Sequence, residues 1–226
     1  MKLKELLNEI RVFNDPNGYT EGELQLAKMG LDYKKLKDGT YEVWGDYYFF
    51  YITKFYKKTF PVKAKILHGN YFCGKSHLFK LKNSPEIIEG SFVCSENYLK
   101  SLKGSPKKVT EDFECNDNKL ETLEGSPKEV GGEFNCINNK LISLKGSPVK
   151  IGGSFFCYNN PNLTSLQGGP KIVGGSFNCS LDNLKSLKGC PKIVKGDFAY
   201  TGNNKKITKE YVKSMCNVGG KIILRY

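Results

Sequence analysis

Apolar residues recur along this chain with two different spacings. Near the N-terminus, Leu3, Leu6, Leu7 and Ile10 share one face of a helix, and residues 21–29 carry a second helical pattern. From residue 61 onward the spacing tightens. A proline is followed three residues later by Ile or Val, then by Gly, then by Phe-x-Cys, Asn-x-Leu and a final Leu. Phe and Cys stand two apart, so on a strand they share the inward face while their neighbours point outward. At the far end Thr208 is placed to N-cap a helix running through Val212 and Met215. Gly219 and Gly220 are expected to end that helix, and residues 221–226 read as a strand.

The period is set by Pro85, Pro106, Pro127, Pro148, Pro170 and Pro191, spaced 21, 21, 21, 22 and 21 residues apart. Cys73, Cys94, Cys115, Cys136, Cys157 and Cys179 keep step, and Tyr200 takes the next place. The single longer step comes from an extra residue in Asn160, Pro161, Asn162 and Leu163, where a local bulge is expected. Glu111 replaces the usual Gly, Asp182 the usual Asn, and Cys190 the Ser before proline. Weaker echoes upstream place the first turn near residue 31, giving about eight turns to residue 204. The expected fold is a β-rich repeat solenoid of 21-residue units with one parallel sheet, its rungs about 4.8 Å apart. Residues 1–30 would form a helical N-terminal cap, 31–60 a degenerate aromatic first repeat, 61–204 the regular repeats and 205–226 a helix-plus-strand cap. Asn three residues after Cys is expected to bond the backbone where the chain leaves the strand.

The segment NKLISLKGSP at residues 139–148 resembles the tandem units of repeat proteins from large tailed phages. The unit is also similar to the short leucine-rich repeats of secreted bacterial effectors. This resemblance implies a leucine-rich-repeat-like solenoid serving as a scaffold, with a phage protein that binds and blocks a bacterial host or defence protein as the functional expectation.

Charge sharpens the picture. Of 35 basic and 23 acidic residues, 25 and 14 fall in residues 61–226, so the excess travels with the repeats. No apolar run is long enough for a membrane span and the first residues lack a secretory pattern, so a cytoplasmic protein without membrane partners is expected. The chain shows no P-loop, dinucleotide fingerprint, HExxH or GxSxG, and catalysis and cofactors are not expected. Cysteines in register on adjacent rungs lie within disulfide range, yet no CxxC occurs and His68 and His77 sit near one end. A buried, reduced, structural cysteine ladder without metal is the expected outcome.

Two surfaces compete for a partner. Nothing in the fold is expected to dictate the outward strand positions, which carry an acidic cluster of Asp112, Glu114 and Glu133 and an apolar group of Ile137, Phe156 and Tyr158. With Asn135 and Asn178 these form a candidate protein-binding face, aromatic anchors beside charges being what such a face needs. Lys107, Lys128, Lys171 and Lys192 follow the repeat prolines and would align into a ridge able to track the phosphates of a nucleic acid or nucleotide. Residues 41–60 mix Trp44, Tyr47, Tyr48, Phe49, Phe50, Tyr51, Phe55, Tyr56 and Phe60 with Lys54, Lys57 and Lys58. They either stack bases or, as the preferred reading, seal the first turn.

Overall fold

The computed structural model describes residues 18–49, 59–180 and 183–226. The helix expected at Leu3, Leu6, Leu7 and Ile10 lies outside the described residues, as do Lys54, Lys57, Lys58, Asp182 and the aromatics Phe50, Tyr51, Phe55 and Tyr56.

The chain coils into a β-solenoid, and each regular turn contributes two strands of two residues, such as Glu129–Val130 and Phe134–Asn135. Stacking these turns produces a ten-stranded sheet through the post-proline segments and a nine-stranded sheet through the Phe-x-Cys segments. The expected solenoid is therefore built on two parallel sheets where one was expected. Turns of nearly equal length bring backbone N–H groups opposite carbonyls of a neighbouring turn, the preceding one in the post-proline segment and the following one around Phe, so both segments pair. Val109, Val130 and Ile151 are register partners in one sheet, as are Phe113, Phe134 and Phe155 in the other. A strand of two residues shows no alternation in the sequence, which is why the first sheet was hidden there.

Paired glycines make the corner between the sheets. A Cβ added to Gly152 would lie 2.0 Å from the carbonyl oxygen of Gly131 one turn back, so the rungs can approach only without side chains. A second corner precedes each proline, where Gly146 adopts a φ of 89° that costs other residues backbone strain.

Inside the coil the apolar positions form continuous columns. From Tyr71 to Phe198 successive rings sit 5.0–5.6 Å apart. Beside them run the cysteines and the paired leucines, including Leu120 and Leu123, or Leu141 and Leu144, all fully buried. The polar column is asparagine: Asn97, Asn118, Asn139 and Asn160 are buried and fully used. Asn139 Nδ2 donates to the carbonyls of Cys115, Cys136 and Ile137, and its Oδ1 accepts from the Leu120 amide. The residue before each of these asparagines takes a left-handed conformation, with φ of 53–55° at Glu96, Asp117, Asn138 and Asn159. The extra residue near Pro161 is absorbed in a turn closed by the Leu163 amide on the Asn160 carbonyl at 3.0 Å, leaving both flanking columns intact.

Both ends are covered. Helix α1 (Glu21–Lys28) begins with a capping box between Thr20 and Glu23, and it buries Leu26. Glu23 also accepts the Tyr41 hydroxyl at 2.9 Å, fastening the helix to the first parallel rung. Strand β1 (Asp32–Lys35) lies antiparallel on strand β2 (Tyr41–Trp44), and this pair closes the edge of the ten-stranded sheet. At the other end Thr208 caps helix α2 (Lys209–Met215) as expected, but the helix stops before Cys216. Asn217–Val218 then joins the first sheet, Gly219 and Gly220 make the usual corner, and Ile222–Arg225 joins the second. The C-terminal cap is thus one more turn of the coil, with a helix as its return limb.

Candidate functional site

The second sheet turns one face to the core and the other outward, and the outward side chains fall into rows that cross the turns. One row contains Ser91, Asp112, Glu133 and Ser154, the next Val93, Glu114, Asn135, Phe156 and Asn178. Asp112, Glu114, Glu133, Asn135, Ile137, Phe156, Tyr158 and Asn178 are all half-buried, brought together on this single face. Phe156 and Tyr158 meet edge to face with ring centroids 6.4 Å apart.

Some of these residues serve the fold, contrary to the expectation that outward positions are free. Asp112 Oδ1 accepts the Glu133 amide at 2.7 Å across a turn. Asn135 accepts the Ile137 amide and Asn178 the Ser180 amide. Asp46, Asn70, Ser91, Ser154, Ser176 and Asp197 hold the next turn in the same way as Asp112 does. Glu114, Ile137, Phe156 and Tyr158 make no such side-chain bond to the backbone and are the more informative members. Burial, reinforced by Asp112, pushes the Glu114 carboxyl up from its ordinary value, and burial, Asp112 and Glu114 do the same to Glu133. The three acids are therefore crowded and partly desolvated.

The lysine ridge is less continuous than its spacing suggests. Lys107, Lys128, Lys171 and Lys192 are exposed in line, but Val149 occupies the middle position and Lys107 pairs with Glu86 at 2.9 Å. In the parallel row before the glycine corner, Lys145 pairs with Glu124 at 2.7 Å. Among the aromatics of the first turn, Tyr47, Phe49 and Phe60 are buried against the core, as sealing requires. Trp44 and Tyr48 face outward, stacked on His68 at 4.7 Å and on Phe72 at 4.9 Å.

All eight cysteines are free thiols and buried. Burial raises the thiols of Cys73, Cys94, Cys115, Cys136, Cys157 and Cys179 above the ordinary value, leaving them inert at neutral pH. Cys190 and Cys216 differ, since interaction between the two pushes the Cys190 thiol up and holds that of Cys216 below its ordinary value.

No protein-family model, curated protein or solved structure matches this chain.

One cluster escapes a reading confined to strand positions. On the return limb, His77 stacks on Tyr98 at 5.7 Å, Phe79 stacks on Tyr98 at 5.3 Å, and Lys119 Nζ lies 4.8 Å from the same ring. The signal lies in the repeat itself: where Tyr98 and His77 stand, later turns carry Lys119 and Lys140, and Phe79 occupies the place of Lys100 and Glu121. Aromatic residues at positions that other turns give to charges have no core to fill.

Proposed function

We propose that this protein is a non-catalytic binding scaffold that docks a protein segment on the outward face of its second sheet. The observation that carries this reading is the acidic trio set beside Phe156 and Tyr158 on a chain whose formal net charge is +12. Crowded carboxylates are relieved by a cation, and the neighbouring ring pair offers apolar area with few rotamers to freeze. The partner is accordingly a segment carrying Lys or Arg next to an apolar residue. Following the resemblance of the repeat to phage proteins, we place that partner among bacterial host or defence proteins, met in the cytoplasm. No helix among the described residues is long and apolar enough to cross a membrane, which is compatible with this setting.

The test uses a photo-reactive phenylalanine analogue at Ile137 and nuclease-treated bacterial lysate. A host protein should cross-link at that position, and F156A/Y158A should weaken its capture by at least 2 kcal/mol if the two rings are anchors, about thirtyfold in affinity. Replacing Glu114 and Glu133 by Gln should mainly slow association and reduce its salt dependence. Equal capture by F156A/Y158A and the parent would sink the reading.

A further inference from the structure

The aromatic stack on the return limb lies in a groove of about 670 Å³ whose lining includes Phe79, Tyr98, Lys80, Lys82, Lys100 and Lys103, and no carboxylate. Phe79 is 69% exposed and Tyr98 37%, values far from those of rings that fill a core. All four lysines are exposed, and none forms an ion pair with a described residue, unlike Lys107 and Lys145 elsewhere on the coil. The floor is fixed by the fold: Leu81 and Leu102 are buried, and the Tyr98 amide donates to the Leu78 carbonyl at 2.8 Å. Phe79 thus stands on a rigid limb, most of its ring in solvent, while Tyr98 is flanked by His77, Phe79 and Lys119 and backs it.

We propose that this groove binds single-stranded nucleic acid, with an unpaired base stacked on the exposed side of Phe79, which Tyr98 backs, and the phosphates running past Lys80, Lys82, Lys100 and Lys103. Base stacking on an aromatic face is tolerant of sequence, and lysine contacts release counterions from the strand. A duplex keeps its bases stacked inside and offers no face to the rings. The lysines lie along two successive turns, around the rings, an arrangement suited to a chain of phosphates rather than to one. This site is separate from the acidic face, and neither proposal depends on the other.

Fluorescence anisotropy with labelled 12-nucleotide oligo(dT) and oligo(U), and with a duplex of equal length, tests it on the full chain. The parent should bind single strands in preference to the duplex, and the affinity should fall steeply with salt. F79A/Y98A should weaken binding at least about tenfold while leaving the thermal unfolding curve in place, because both rings are exposed. K80Q/K82Q/K100Q/K103Q should weaken binding and flatten the plot of log affinity against log salt by about 0.7 for each phosphate no longer neutralised. The charge-matched ridge variant K107Q/K128Q/K171Q/K192Q should bind nearly as the parent does. The proposal is overturned by no binding of single strands at low salt, by preference for the duplex or for a mononucleotide, by parent-like binding of F79A/Y98A, or by equal losses in the groove and ridge variants.

Discussion

Asn118 reaches back one full turn to Leu99, its Oδ1 accepting the Leu99 amide at 3.0 Å. The same side chain donates to the carbonyl of Cys94 in that earlier turn and to those of Cys115 and Asn116 in its own. One buried amide thus satisfies backbone groups of two turns that have no water to replace it.

Asn118→Ala should therefore cost about 3 kcal/mol, since it strands a buried N–H and at least one buried carbonyl. Asn116→Ala, on the outward face of the same rung, should cost less than about 1 kcal/mol. Urea unfolding of the two variants makes the comparison, and similar losses would mean that the asparagine column is not a structural element.

The glycine corners make a second contrast. Gly152→Ala drives a Cβ into the Gly131 backbone, which cannot move without parting two rungs, and should cost more than about 3 kcal/mol. Gly39 has a φ of 78° but open space around it, so Gly39→Ala should cost only about 1 kcal/mol of backbone strain. Equal thermal shifts in the two variants would contradict the close approach.

The acidic trio makes stability depend on pH. Glu114 and Glu133 have pKa values above those of the unfolded chain because of burial and their acidic neighbours. Their contribution to stability is complete below the unfolded carboxylate value and is lost as pH rises through the folded one. E114Q/E133Q should be more stable than the parent at pH 7, by less than about 1 kcal/mol since both groups are partly solvated. The difference should close toward pH 4. Denaturant midpoints across pH 4–8 will show it, and a variant less stable than the parent at pH 7 refutes it.

Thiol labelling separates two kinds of cysteine. Cys216 should react first, because its interactions with Cys190, the Val194 amide and Lys192 hold its thiol below the ordinary value despite burial. Cys190→Ala should slow that reaction. Cys94, Cys115, Cys136 and Cys157 should react only after denaturation, and mass spectrometry of native samples showing rapid modification of all four would rule out the sealed column.

Much of the fold was legible because its rules are local and repeated. The spacing of Pro106, Pro127 and Pro148 gave the turn, and the two-residue step from Phe134 to Cys136 gave the inward face. Thr208 announced its helix because a cap needs only its own neighbourhood. What stayed hidden depends on contacts between turns. The role of Asp112 as acceptor for Glu133 joins residues 21 apart, and no property of either residue alone reveals it. The pairing of Lys107 with Glu86 is of the same kind. Phe79 and Tyr98 were visible as letters, but their meeting required the stack to be assembled.

The asparagine column also imposes a direction on assembly. Leu99 and Cys94 wait for Asn118, Leu120 and Cys115 for Asn139, and Leu141 and Cys136 for Asn160. Each rung is thus completed by the one that leaves the ribosome after it, roughly one to four seconds later at ordinary rates of synthesis. The newest rung is the only one still unfinished at any moment, so a growing chain need expose just a single raw end to its surroundings until the last turn, ending in Ile222–Arg225, is laid on it.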